Sequence, residues 1–430
     1  MSFVLGYKCS LCGAEYALGE VEYICPKHGD MGNLDVMLDY AAINRASSPA
    51  TVGESRDFSI WRYAPLLPVE NRGFGESNGS NPLFSVGWTP LYRAKRVAAS
   101  LGLRHVWIKD DGRNPTASFK DRASAVAVVR ALEIGAKVIT TASSGNAGAA
   151  LAGMAAAVGL PAVIMVPQTA PQAKVAQLLM FGATVILVKG PYDDAFDLNL
   201  KSAKEFGWYC RSTGYNPFTL EGKKTAAFEI CEQLGRNPNS KAQTPKWQAP
   251  DRIFVSVGDG NIISGIHKGL KDSFALGWID KMPKLMGVQA ERSAAVYNAW
   301  KAGTETIAPV DATTIADSIS VNLPRDGVRA VRAATQTGGA YVAVSDDEIL
   351  GAMRDLARGV AVFAEPAGAT AYAGLVKAVR EKMIDPNESI VVVNTGNGLK
   401  DVKSAMQAAG EAVRIDPTLD EVRRVIEARK

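Results

Sequence analysis

Asn114-Pro-Thr-Ala-Ser-Phe-Lys-Asp-Arg122 ends one short apolar run, His105 to Lys109, and opens a longer one, Phe119 to Ile134. Proline lacks an amide donor and restrains the residue before it, so Asn114-Pro115 stops a strand. Ser118 reads as the N-cap of a helix over 119–134. Lys120 then falls in the first helical turn, where the positive end of the helix dipole disfavours an ammonium and favours a neutral amine. A neutral lysine amine is what a Schiff base with a carbonyl compound requires.

Outward from this turn, short apolar runs alternate with longer segments. His105–Lys109, Lys137–Thr141, Ala162–Val166 and Thr184–Val188 read as strands. Segments 119–134, 146–158, 171–181 and 192–206 read as helices between them. Such alternation predicts an α/β fold in which helices cover both faces of a parallel sheet. Ligands gather at the carboxyl ends of the strands in such folds. A second strand-to-helix turn there, Thr141-Ala-Ser-Ser-Gly-Asn-Ala-Gly148, offers two hydroxyls, an amide and free N–H groups, a cradle for a carboxylate.

The second half begins near Arg211. Arg211 to Thr225 leads into a helix expected over 223–235, followed by a polar surface loop over 237–250. Arg252 to Val257 is a strand. After it, Gly258-Asp-Gly-Asn-Ile-Ile-Ser-Gly places glycines between strand and helix, exposing N–H groups to a phosphate. It is neither a Walker loop nor the dinucleotide G-x-G-x-x-G. Lys284–Gln289 reads as a strand, 303–340 as irregular, and 346–358 and 368–380 as helices. Ser389–Asn394 is a strand ending in Thr395-Gly-Asn-Gly398. An amphipathic helix is expected over 418–429, and Asn71 to Pro82 as a loop.

The N-terminal segment has its own chemistry. Cys9-x-x-Cys12 and Cys25-Pro-Lys-His28 are two knuckles that can place three thiolates and an imidazole around one tetrahedral zinc. With no further reactive group near them, a structural rather than catalytic metal is expected. Three of the five cysteines fall here, a pattern that suits a reducing cytoplasm better than a disulfide framework. The chain's 430 residues suit two or three domains, and its net charge of +4 is too dispersed to argue for nucleic acid or membrane. Thr140 to Ala173 carries no charge, but Gly159-Leu-Pro161 interrupts it, so a buried helix and strand fit better than a membrane span. The start, Met-Ser-Phe-Val-Leu-Gly-Tyr-Lys, lacks the form of a signal peptide.

Taken together, Ser118-Phe-Lys-Asp-Arg122, Ser143-Ser-Gly-Asn146, the Gly258 loop, Glu365-Pro-Ala-Gly368 and Thr395-Gly-x-Gly398 resemble, in order, the pyridoxal-phosphate enzymes of the tryptophan-synthase β type (fold type II). With the N-terminal ribbon and Asn216-Pro…Glu221-Gly-x-Lys-Thr225, the chain is most similar to the threonine synthases over about residues 7–410. The resemblance implies two αβα domains of parallel or mixed sheet with the cofactor cleft between them. Expected divisions are a zinc-ribbon-like segment (1–40), a connector packing on the second domain (41–95), a smaller domain with Lys120 and the 143–146 turn (96–210), and a larger one with the phosphate loop and Thr395 (211–430).

The resemblance further implies that Lys120 holds pyridoxal phosphate covalently, that Asn146 meets its ring oxygen, and that Thr395 meets its pyridine nitrogen. Gly258, Asp259, Gly260, Asn261 and Ile262 would hold its phosphate, Ser143, Ser144, Gly145 and Asn146 the substrate carboxylate, and the Glu365 motif would pack beneath the ring. The implied reaction converts O-phosphohomoserine and water to threonine and phosphate in a cytoplasmic homodimer. One departure leaves the substrate open. Thr219 stands where many threonine synthases carry an arginine for the substrate phosphate, and such a charged hydrogen bond contributes about 1.5–3 kcal/mol. Arg211, Lys223, Lys224 and Arg325 are candidate substitutes. The Gly258 loop is also one residue shorter than the common form. A cysteate synthase, using O-phosphoserine and sulfite, and a threonine or serine dehydratase are the alternatives.

Overall fold

Short apolar runs pair into three sheets in the computed structural model of the chain, which describes residues 3–70, 81–170, 172–190, 192–236 and 247–428. The loops expected over 71–82 and 237–250 fall largely outside these. The largest sheet orders its strands Ala340–Val344, Lys284–Ala290, Arg252–Ser256, Ser389–Asn394, His105–Asp110 and Leu91–Arg93. All neighbours are parallel except the antiparallel edge strand Leu91–Arg93. A second, fully parallel sheet runs Thr184–Val188, Ala162–Pro167, Ile139–Ala142 and Tyr209–Cys210. The uncharged 140–173 stretch is the buried helix Asn146–Ala156 and the strand after it. No helix among the described residues is long and apolar enough to cross a membrane.

A small antiparallel sheet of Glu15–Tyr16, Val4–Cys9 and Leu34–Leu38 forms the N-terminal segment. Its inward residues Tyr7, Leu34, Val36 and Leu38 join the same apolar core as the main body. The segment is therefore docked, not tethered.

Three expectations are corrected. Residues 96–210 do not stay together, because His105–Asp110 pairs in register with Ser389–Asn394 and so belongs to the six-stranded sheet. The second correction concerns 303–340, where the helix Gly327–Thr335 and the strand Ala340–Val344 both form. Third, the helix expected from 223 starts at Pro217, capped by Asn216, whose side chain accepts from the Phe218 N–H at 2.8 Å, with proline in the first turn. That helix is buried on all sides through Glu232, so it lacks the one-sided apolar stripe that reveals a surface helix.

Where the Pro217–Gly235 helix crosses the Lys120–Glu133 helix, a Cβ at Gly222 would come within 2.9 Å of the Ala123 Cα. Only glycine admits that approach. Beside the crossing lies a fully buried ion network. Arg122 donates to Asp111 at 2.6 Å and to Glu229 at 2.5 Å, and Lys109 donates to Glu229 at 2.6 Å. Burial alone would raise the Glu229 carboxyl, yet the Arg122 and Lys109 cations hold it down to about 2. Removing one partner of such a network strands the others in a low-dielectric interior. Arg122→Ala is expected to lower the unfolding free energy by about 3–5 kcal/mol, read by urea denaturation of the cofactor-free protein. A loss below about 1 kcal/mol would show that water reaches the network.

Candidate active site

The turn carrying Lys120 is stitched to the end of strand Ser389–Asn394. The Phe119 N–H donates to the Thr395 carbonyl at 2.9 Å, and the Asn397 N–H donates to the Ala117 carbonyl at 3.1 Å. Ala117 takes φ +64°, a left-handed conformation that costs a non-glycine residue and is held here by these bonds. Ser118 does not cap the helix. Phe119 occupies the cap position without a side-chain bond, and the buried Ser118 hydroxyl has no partner. The Asp121 carboxylate instead ties the turn, accepting the Thr116 N–H at 2.6 Å and its hydroxyl.

Lys120 and Thr395 thus face one cavity of about 380 Å³. The same cavity is lined by Ser143, Ser144, Gly145 and Asn146 at the end of the smaller sheet, and by Gly258, Asp259, Gly260, Asn261 and Ile262. All the cofactor and substrate residues named from the sequence therefore converge. The glycine loop is tightly shaped. Gly260 has φ +91°, and a Cβ there would lie 2.7 Å from the Asp326 carbonyl. The loop ends at the N-terminus of helix Asn261–Ala275, whose first N–H groups lack intrahelical partners.

The cavity mixes charges: Asp193, Asp259, Asp317 and Glu365 are among its lining residues, and Arg325 donates to Asp193 at 3.4 Å. Lys120, Arg211, Lys223 and Arg325 line the cavity too, whereas Lys224 turns away to Glu221 and, at 3.0 Å, Asp272. Lys224 is thereby removed from the candidate phosphate ligands. Lys120 is half-buried because its side chain opens into the cavity, but desolvation, with Arg211 nearby, still lowers its pKa. Burial, Lys120 and Arg211 push Lys223 well below an ordinary lysine. Arg211 is lowered to about 10 by burial and keeps one guanidinium nitrogen, Nη2, buried without a partner. A buried orphan donor among like charges calls for an anion. Thr219 and Lys223 sit one helical turn apart and both reach the Asn261 side-chain oxygen, so Lys223 brings an amine close to Thr219.

An aldehyde cofactor with a phosphate tail fits this donor set. It needs a reachable amine of lowered pKa, a helix N-terminus for its phosphate and a hydroxyl for its ring, and Lys120, the glycine loop and Thr395 provide them.

Glu365 was assigned only packing from the sequence, yet it lines the cavity and accepts from the Asn146 amide at 2.7 Å. Burial and the Asp317 carboxylate push its pKa up to about 7. Tyr192 and residues 317–323 were not singled out as site residues and also line the cavity. The only sequence signal for the latter was their irregularity.

At the N-terminus the four sequence-named metal ligands meet. The His28 Nδ1 lies 3.7 Å from the Cys9 sulfur and 3.5 Å from that of Cys25, and the Cys12 and Cys25 sulfurs are 4.0 Å apart. All four ligand atoms lie within 4.8 Å of one another. A tetrahedral zinc with bonds of about 2.0–2.3 Å spaces its ligand atoms by roughly 3.4–3.8 Å. The cluster is close to that size, and its cysteines are free thiols.

Residues 83–396 match a family profile described as pyridoxal-phosphate dependent enzyme. The chain is 38% identical to a threonine synthase of Methanocaldococcus jannaschii over 97% of this chain and 98% of that protein. It is 37% identical, with the same coverage, to a threonine synthase of Methanosarcina acetivorans. Among solved structures it is similar to diaminopropionate ammonia lyase from Escherichia coli, with a TM-score of 0.63 and 20% identity over 77% of this chain and 88% of that one. A tomato threonine deaminase gives a TM-score of 0.62 and 23% identity, covering 75% of this chain and 87% of that one. At such identities the two structures speak for the fold alone.

The raised pKa of Glu365 has a signed consequence. The folded state keeps this proton to higher pH than the unfolded chain, whose value is near 4.5. The group therefore costs stability increasingly as pH rises from about 4.5 to 7, and the cost disappears at lower pH. Glu365→Gln is expected to stabilise the cofactor-free protein at pH 8 by on the order of 1–3 kcal/mol, with the gain gone near pH 4. Thermal unfolding of both proteins across that range measures it, and a pH-independent difference would contradict the assignment.

Proposed function

We propose a reaction for this chain from one premise: it belongs to the pyridoxal-phosphate dependent enzymes and, among them, to the threonine synthases. It converts O-phosphohomoserine and water to threonine and inorganic phosphate. The observation that carries the substrate reading is the buried Arg211 nitrogen left without a partner in the cavity that Lys223 also lines. An amino acid lacking a phosphoryl group would leave that donor unpaired.

Bound pyridoxal phosphate supplies an electron sink for substrate carbanions. Its residues are Lys120, Asn146, Gly258, Asp259, Gly260, Asn261, Ile262 and Thr395. The Thr395 hydroxyl, which lines the cavity, would offer the ring nitrogen a neutral partner. Ser143, Ser144, Gly145 and Asn146 bind the α-carboxylate at the start of the helix they precede. Arg211, Lys223 and Arg325 bind the substrate phosphoryl group, replacing the charge absent at Thr219. The Lys120 amine would move the protons at Cα and Cβ, which its lowered pKa suits. Phosphate leaves as the Cγ–O bond breaks, Cγ takes up a proton to become the methyl group, water adds its oxygen at Cβ and releases a proton, and Cα is reprotonated. Cys9, Cys12, Cys25 and His28 hold a structural zinc far from this chemistry. Free thiols throughout support a reducing, cytoplasmic setting, and the resemblance supports a homodimer.

Two experiments test the reading. Lys120→Ala is expected to bind pyridoxal phosphate without the covalent visible band and to lose turnover; normal turnover would sink the role of Lys120. Arg211→Ala is expected to raise KM for O-phosphohomoserine about 10- to 100-fold, the worth of one charged hydrogen bond, with kcat affected less. Assay beside O-phosphoserine with sulfite decides the substrate. Phosphate release only from the latter pair would make the chain a cysteate synthase.

A further inference from the structure

The N-terminal sheet does more than pack on the body, because polar contacts run from the metal ligands to both sides of the phosphate site. From the first knuckle, the Ser10 N–H donates to the Asn33 carbonyl at 3.0 Å, and Arg332 donates to the Ser10 carbonyl. From the second, the Cys25 N–H donates to the Gly32 carbonyl at 2.8 Å. Strand Leu34–Leu38 follows directly. There Arg329 donates to the Asp35 carboxylate at 2.7 Å and to the Leu34 carbonyl at 3.2 Å.

Arg329 is buried and its other edge is also used. Its Nε donates to Asp326 at 2.6 Å. The second Asp326 oxygen accepts the Asn261 amide at 2.7 Å, and the Asn261 oxygen accepts from Lys223. Asp326 also donates its own N–H to the Asp259 carbonyl at 2.9 Å, gripping the glycine loop from the backbone. One line of paired groups thus joins Asp35, Arg329, Asp326, Asn261 and Lys223.

A second arm reaches Arg211. Tyr23, between the two knuckles, accepts the Cys210 N–H at 3.1 Å and stacks on Tyr215 with ring centres 4.9 Å apart. Asn33 donates to the Gly214 carbonyl. The N-terminal segment therefore grips the chain on both sides of Arg211. Its own sheet is too slight to keep shape unaided, since one of its strands, Glu15–Tyr16, has two residues. A metal clip that closes the Cys9-to-His28 loop supplies the missing rigidity.

We infer that zinc at Cys9, Cys12, Cys25 and His28 positions the phosphate-binding loop and Arg211 through the Asp35–Arg329–Asp326–Asn261 line and the Tyr23 contact, so that metal occupancy sets the affinity for phosphorylated ligands. The inference rests on the proposed phosphate role of the Gly258 loop. Asp35, Arg329 and Asp326 act as positioning residues, touching no ligand themselves.

The test uses the full chain and measures binding separately from turnover. Zinc is counted in the purified protein, stripped with a chelator and restored. Pyridoxal phosphate is titrated into each form and followed by its visible band. About one zinc per chain, an affinity weakened about tenfold on stripping and recovery on adding zinc alone are expected. Should the stripped protein lose its far-ultraviolet dichroism, Asp35→Ala decides, since it leaves all four ligands in place. It is expected to keep its zinc and its fold and to show the same weakening. Absence of zinc, or undiminished affinity in Asp35→Ala, overturns the coupling. Zinc-dependent cofactor binding without phosphate release from O-phosphohomoserine upholds the coupling and overturns only the proposed reaction.

Discussion

The Arg122 guanidinium, buried between Asp111 and Glu229, is the contact on which the rest of this structure depends. Arg122 follows Lys120 by two residues, so fixing one fixes the other. Its partners come from the turn after strand His105–Asp110 and from helix Pro217–Gly235. Lys109 closes the set through Glu229. The six-stranded sheet, the lysine helix and helix Pro217–Gly235 are thus locked at one point by charges that cannot be separated cheaply in a dry interior. An apolar junction of equal volume could supply comparable stability but would not specify direction as a planar guanidinium does.

Beside this closed network lies its opposite. Burial lowers the proton affinity of Lys120, Lys223 and Arg211 on the cavity wall, and the Arg211 charge lowers both lysines further. Facing them, Asp259 and Glu365 are shifted upward by burial. Burial disfavours the charged form of every such group. For the orphaned Arg211 nitrogen the cost is relieved by an anion that pairs with it. Compensated charge marks the scaffold here, and uncompensated charge marks the site.

That distinction also explains what the sequence could and could not disclose. Parallel strands buried on both faces are continuous apolar runs, so Ile139–Ala142, Ala162–Pro167 and Ser389–Asn394 were legible within a residue or two. The chemically loaded turns were legible because glycine, asparagine and hydroxyl residues gather where a backbone must meet a ligand. Helix Pro217–Gly235 was read short because it is buried all round and carries lysines and glutamates as internal pairs, which mimic a surface pattern. The helix Gly327–Thr335 was missed because its polar face is spent on the N-terminal segment through Arg329 and Arg332. Ser118 had the right residue type for a cap, but the Thr116–Asp121 bond ties the turn in its place. The choice among Arg211, Lys223, Lys224 and Arg325 was beyond sequence, since only packing shows that Lys224 is consumed by Asp272.

The same logic bears on why a metal knuckle serves at the N-terminus. A segment of some forty residues cannot bury enough apolar surface to hold its own fold. Here Tyr7, Leu34, Val36 and Leu38 borrow the core of the body, which fixes one face of the small sheet. Cys9 and Cys25 reach that core, whereas Cys12 is exposed and His28 half-buried, so apolar docking fixes only part of the knuckles. Slippage there would be carried directly to Asp35, whose carboxylate must stay on Arg329 for Arg329 to stay on Asp326. Four ligands around one ion, as proposed above, would remove that freedom without a disulfide. Apolar docking sets where the segment sits, and the proposed metal would set how rigidly it holds the loop beyond it.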